Sequence, residues 1–291
     1  MSIRLNLVAL GCIILAPVGV CAEPIADALE KMIEVYGGEE NVRKLDSTVQ
    51  EWDLLALTRN QQGKDKRSIQ LPGQLKVELV YPDKQETRVL DGDAGYAVFG
   101  DREPAVASTM QTDAMRLQLM RFYTPLTLRD RIDTLELSEG DGYLTLTLRE
   151  DSLQAEYFVD METWHIIKVV GTLSVNGATM QFVTEYSEFS MVDGVLVHHR
   201  ENKFVGGMNT AVLRLRRAET GVEFDDDEFA PRRNEADPIV AVLALVRAAD
   251  TRRRGASCAP PWAAQSAGKS FSLRFVVLPG SLRSSPCPWS T

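Results

Sequence analysis

The chain has 291 residues, with 41 Asp and Glu against 32 Lys and Arg and a net charge of −9. The imbalance is uneven: residues 23–231 hold 38 acids and 22 bases, whereas residues 232–291 hold 3 acids and 9 bases. So acidic a body repels phosphate backbones and anionic lipid surfaces, which excludes nucleic acid as its partner. Its freedom from cysteine (Cys12, Cys21, Cys258 and Cys287 all lie outside it) excludes thiol catalysis and disulfide stapling.

Residues 1–22 read as a secretory signal. Arg4 supplies the positive start, residues 5–20 are apolar apart from Asn6, and Val20-Cys21-Ala22 precedes Glu23. A transmembrane anchor competes with this reading, but the apolar stretch of roughly 16 residues is short of the ~20 that span a bilayer, and Pro17 interrupts it. A lipid-modified cysteine fits less well, because neither Ala9-Leu10-Gly11 before Cys12 nor Val20 before Cys21 is a good lead-in. The body, residues 23–231, is long enough to build its own core.

Ile25, Leu29, Met32, Ile33 and Tyr36 recur at helical spacing, with Asp27, Glu30, Lys31 and Glu34 on the other side. Gly37-Gly38 ends this helix, and residues 39–45 allow a short second turn. From Leu54 to about Arg217 the chain reads as strand after strand. Residues 74–80 set Leu75, Val77 and Leu79 against Gln74, Lys76 and Glu78; residues 142–149 set Leu144, Leu146 and Leu148 against Tyr143, Thr145, Thr147 and Arg149. Residues 210–216 alternate in the same way around Ala211, Leu213 and Leu215. Period two with one polar face predicts a sheet wet on one side and covered on the other. Asn176-Gly177, Asp193-Gly194 and Gly206-Gly207 each separate two extended runs and close hairpins cheaply.

Residues 107–121 interrupt the strands with a helix. Met110, Ala114, Met115, Leu117, Leu119, Met120 and Phe122 spread over a wide apolar arc, Arg116, Gln118 and Arg121 fall on its polar side, and Pro125 breaks the register. The expected fold is α+β: a curled antiparallel sheet, a half-barrel of about ten or eleven strands, with helices plugging or covering its concave face. Beyond it, residues 232–291 form a basic tail rich in Ser, Pro and Arg, including Arg252-Arg253-Arg254 and Pro260-Pro261. The tail reads as disordered, with a short helix expected at 239–245; a basic arm for an anionic partner is the alternative.

Little in the body suggests covalent chemistry. His165, His198 and His199 are its only histidines. Strand alternation points His198 and His199 to opposite faces and puts His199 beside Glu201, which allows a metal set of His165, His199 and Glu201 against the plainer reading of ordinary strand residues. Asp225-Asp226-Asp227-Glu228 lacks calcium-loop spacing and reads as a solvated acidic turn. Gly140-Asp141-Gly142 reads as a turn, since no helix follows to cradle phosphate. Neither a Gly-x-Ser-x-Gly elbow nor a His-Glu-x-x-His helix occurs.

Several segments carry a family likeness: Tyr36-Gly37-Gly38, Leu71-Pro72-Gly73-Gln74-Leu75-Lys76-Val77-Glu78, Val89-Leu90-Asp91-Gly92, Phe158-Val159-Asp160-Met161-Glu162-Thr163, and residues 186–195 ending in Asp193-Gly194-Val195. Over about residues 25–231 the chain resembles the periplasmic lipoprotein-carrier superfamily, the LolA/LolB-like or outer-membrane lipoprotein-sorting proteins. Met161 and His198 stand where that group often has proline. The resemblance implies a half-barrel with a helical lid and an apolar cavity for acyl chains. It makes Met110, Met115, Leu117, Leu119, Met120 and Phe122 of the interrupting helix, with Leu144, Leu146 and Leu148 of one strand, candidate cavity or lid residues, beside the plainer reading of core packing. It implies a non-catalytic, monomeric periplasmic carrier of lipid or lipoprotein acyl chains, with no cofactor. Two other readings stand beside it: a sensor or interaction module acting on a membrane-protein partner, and an enzyme using His199 and Glu201.

Overall fold

A computed structural model of the chain describes residues 22–175 and 177–232. The segment read as a signal up to residue 21, Asn176 of the Asn-Gly turn, and the tail from residue 233 with its expected helix at 239–245 lie outside the described residues. The described residues fall within one compact unit.

Helix α1 (Ala22–Val35) opens the fold. Ile25, Leu29, Met32 and Ile33 lie on one stripe, and all four are buried. The helix stops at Gly37 and Gly38, whose φ angles of 114° and 84° suit glycine alone. Gly37 is doubly required, because a Cβ there would overlap the Gly194 carbonyl oxygen. Helix α2 (Glu39–Val42) and a 3₁₀ turn (Arg43–Asp46) follow, where the short second turn was expected.

Five strands come next, β1 (Ser47–Ala56), β2 (Gln61–Gln70), β3 (Gln74–Tyr81), β4 (Lys84–Asp91) and β5 (Ala94–Phe99), with a two-residue strand β6 (Ala105–Val106). Helix α3 (Thr109–Met120) begins on a capping box: the Gln111 amide donates to Ser108 Oγ and the Ser108 amide to Gln111 Oε1. Thr124 caps α4 (Pro125–Arg129), with Pro125 in its first turn. The second run of strands is β7 (Leu135–Gly140), β8 (Tyr143–Glu150), β9 (Leu153–Asp160), β10 (Ile166–Val175), β11 (Ala178–Val192), β12 (Val195–Val205) and β13 (Met208–Thr220). Asp193-Gly194 and Gly206-Gly207 make tight turns at positive φ, flanked by the pairs Val192–Val195 and Val205–Met208. Among the described residues no helix is long and apolar enough to cross a membrane.

The thirteen strands form one antiparallel sheet in the order β6-β5-β4-β3-β2-β1-β13-β12-β11-β10-β9-β8-β7, two or three more than the sequence led us to expect. Its first and last strands, β1 and β13, pair in the middle, and its outer edges, β6 and β7, are the strands that flank α3 and α4. The helical segment therefore runs from one edge of the sheet to the other. Helix α3 packs on β3, β4 and β5 and also on β9 and β10, although six strands separate β4 from β10 in the sheet. Only a curled sheet can bring those two arms to one helix, so β2, β1, β13, β12 and β11 form the floor of a trough that α3 bridges. The main core lies where α3 and α1 meet the arms, around Leu29, Met32, Met120, Leu146 and Tyr157. Tyr157 Oη donates to the Met120 carbonyl at 2.7 Å, which ties β9 to the end of α3.

On the convex side, the segment after β13 folds back over β2 and β3. Phe229 is buried against Phe224, and Glu228 accepts from Ser68 Oγ at 2.7 Å and pairs with Lys76 at 3.4 Å. The acidic run is thus a turn pinned by its last residue.

Candidate ligand cavity

Strand β2 carries charge on its inward face. Arg67 has no exposed surface and Asp65 almost none. The guanidinium donates through Nε and Nη2 to the two oxygens of Asp65 (3.0 and 2.9 Å) and through Nη1 and Nη2 to those of Glu201 on β12 (2.8 and 2.9 Å). It also lies over the rings of Trp52 and Phe122, at 5.0 and 5.3 Å from their centroids. Bidentate pairing to two carboxylates leaves Arg67 nothing to seek.

Around this pair the trough floor stays polar. His198 Nε2 is 3.1 Å from Glu201 Oε1, and its ring stacks on Trp52 and leans on Tyr186. Lys203 Nζ is 3.4 Å from Glu201 and 3.9 Å from Asp65. Burial raises the Glu201 pKa, but Arg67 and Lys203, with hydrogen bonds from His198 and Arg67, outweigh it and hold the carboxyl well below its usual range. Burial and then Arg67 push Lys203 down to about 8, against the pull of Glu201 and Asp65.

Arg121 follows the last residue of α3, a helix end where a cation is favoured. Its Nη1 donates to Thr184 Oγ1 at 3.2 Å, its Nε is buried without a hydrogen-bond partner, and among the described residues no carboxylate pairs with it. Burial lowers its pKa; Tyr186 and Glu201 oppose that shift, and Arg67 and Arg88 add to it. Arg88 on β4 reaches Gln118 of α3 at 3.5 Å, and its Nε lies 3.2 Å from Glu86 but misaligned, so that no hydrogen bond forms.

Between α3 and the trough floor lies a cavity of about 220 Å³. Leu54, Leu79, Leu117, Phe182 and Leu213 supply its apolar wall, and Asp65, Arg88, Arg121 and Lys203 its polar one. A second cavity, of about 80 Å³, shares Arg121 and is bounded by Tyr36, Ile69, Phe122, Tyr186 and His198. The charged residues were not among those the sequence singled out. Arg121 was read as the polar side of a helix, and the one available signal for β2 is Asp65 and Arg67 at a spacing of two, inward on a strand.

The nine residues named from the sequence separate into groups. Met115, Leu117, Leu119, Met120, Leu144, Leu146 and Leu148 are all buried in one core cluster. Leu117 also lines the 220 Å³ cavity, Phe122 the 80 Å³ cavity, and Leu119 and Met120 a third space of about 190 Å³. Met115 and the three β8 leucines border none of these, and Met110 is 52% exposed at the start of α3.

The histidine expectation needs correction. His198, not His199, shares a face with Glu201, while His199 Nε2 lies 2.7 Å from Ser190 Oγ on the other side. Alternation fails because Glu188, at φ 58°, interrupts the pairing between Phe189–His198 and Ser187–Arg200. His165 sits apart, against Phe189 and Tyr36, with its pKa lowered by burial against the pull of Asp160. His165, His199 and Glu201 are not brought together, and among the described residues no group of three or more His, Cys, Asp or Glu is placed to hold a metal ion.

No protein-family model matches the chain, and no curated protein matches it. Among solved structures it is similar to an outer membrane lipoprotein-sorting protein domain from Vibrio parahaemolyticus, at 9% identity and a TM-score of 0.46, over 72% of this chain and 97% of the other. It is similar to a LolA superfamily protein from Nitrosomonas europaea at 15% identity and a TM-score of 0.46, over 73% and 98%. It is also similar to a DUF1329 family protein from Desulfovibrio piger at 10% identity and a TM-score of 0.42, over 72% and 96%.

Proposed function

We propose that the protein is an exported, non-catalytic carrier or binding protein for a lipid-like ligand in the periplasm. One observation carries the proposal: α3 bridges the two arms of the trough and leaves unfilled space, partly apolar, beneath it. An acyl chain gains about 0.8 kcal/mol for each methylene moved out of water, so a concave wall of Leu54, Leu79, Leu117, Phe182 and Leu213 is a useful seat for one. Met120, the last residue of α3, lines the 190 Å³ space and can repack around an irregular guest. Export rests on the signal read at residues 1–22.

Native mass spectrometry of protein purified from the periplasm without detergent tests the proposal. The expected result is a lipid-sized adduct that organic extraction removes, together with uptake of a fluorescent fatty acid by the emptied protein. Absence of both sinks it.

A further inference from the structure

We infer that the 220 Å³ cavity receives an amphiphile with an anionic head, a carboxylate or phosphate, which seats on Arg121 while its chain lies along Leu54, Leu79, Leu117, Phe182 and Leu213. The inference rests on the carrier reading and names the chemical class of its ligand.

The argument is one of charge balance. Four cations, Arg67, Lys203, Arg88 and Arg121, stand in or beside the cavity wall, and three carboxylates, Asp65, Glu201 and Glu86, face them. Arg67 takes up Asp65 and Glu201 with four hydrogen bonds, Lys203 leans on the same two groups, and Glu86 pairs with Arg88. Arg121 is left with one hydroxyl partner and a buried Nε that donates to nothing. Arg121 is half-buried, so its missing counter-ion costs less than in a sealed core, but its Nε is shut off from solvent, and a buried donor without an acceptor is unfavourable. An anion in the cavity relieves both. Arg121 and Arg88 line the same cavity and present planar donors suited to carboxylate or phosphate oxygens. The Arg121 pKa is lowered chiefly by burial, with the neighbouring cations Arg67 and Arg88 adding to the shift. The acidic exterior does not oppose this, because the surplus cation lines the cavity.

The test compares three twelve-carbon ligands on the protein freed of bound lipid: dodecanoate, dodecyl phosphate and dodecanol, followed by titration calorimetry. A charge-assisted hydrogen bond in a buried site predicts that at least one anion binds about ten- to hundredfold more tightly than the alcohol, and the tighter anion identifies the head. In Arg121→Gln that ratio falls towards one, and Arg121→Lys, which keeps the charge, restores part of it. Arg88→Gln lowers the ratio as well, which keeps the inference testable should Arg121→Gln not fold. Dodecanol binding as tightly as both anions, or a ratio unchanged in these variants, overturns the inference and leaves the carrier reading standing. If none of the three binds, both fall.

Discussion

Removing Arg67 probes the polar floor most directly. Arg67→Met keeps the length and packing of the stem but leaves Asp65 and Glu201 buried without their bidentate partner. Breaking such a pair costs about 3–5 kcal/mol, mostly for the stranded charge. Lys203 stays within 4.0 Å of both carboxylates and takes over part of the role, which places the effect near 3 kcal/mol. For a domain of this size that is a fall of about 6–12 °C in Tm at neutral pH. The deficit depends on pH in a set direction. In the parent protein Glu201 has a depressed pKa, so its contribution is present above its ordinary 4.5 and is lost as pH falls through the folded value. Without Arg67 the burial that raises this pKa is opposed only by Lys203 and His198, so the depression shrinks and less of that stabilisation appears as pH rises. Melting both proteins by circular dichroism across the acid-to-neutral range should show the gap widening as pH rises. A gap that is constant, or below about 1 kcal/mol at neutral pH, refutes the view that Arg67 neutralises a buried anionic pair.

Other perturbations read separate parts of the fold. Lys203, depressed to about 8 from 10.5, stabilises fully above 10.5 and loses that contribution as pH falls through 8, so Tm should rise from pH 8 until, above 10, ionisation of tyrosine in the unfolded chain reverses the trend, since burial holds Tyr36 up at about 12 in the folded one; Lys203→Met should abolish the rise in a pH-dependent melt. Gly37→Ala combines a disfavoured φ with a collision against the Gly194 carbonyl and should lose about 3 kcal/mol or more in urea unfolding. Met115→Asp puts a carboxylate in the core beneath α3 and should end cooperative melting, whereas Met110→Asp, at an exposed site, should stay within about 0.5 kcal/mol of the parent; equal tolerance of both would show that α3 is not packed as described.

The sequence was most legible where burial and polarity alternate. Strands β3, β8 and β13 were read from leucines and valines at a spacing of two, and each is a strand. Helix α1 and its Gly37-Gly38 stop were legible because helical spacing and left-handed glycines are local properties. Strand β2 was not, because its inward positions include Asp65 and Arg67, and a hydrophobicity pattern cannot register a buried ion triad whose third member, Glu201, is 134 residues from Arg67. Arg121 was misplaced for a related reason. A cation next to an apolar stripe looks solvent-facing on an isolated helix, and only the arms of the trough, converging on α3, enclose it. The extra strands, beyond the ten or eleven expected, include the two-residue β6, too short to show any period.

The pairing of β1 with β13 at the centre of the sheet has a consequence for biosynthesis. A nascent chain that has emerged as far as β12 holds two half-sheets with no spine between them, and the floor of the trough does not yet exist. Completion waits for the last strand, whose register with β1 runs from Thr220 opposite Thr48 to Ala211 opposite Ala56. A premature stop ahead of Met208 would leave β1 and β12 with bare backbone edges, the condition most prone to sticking to other chains.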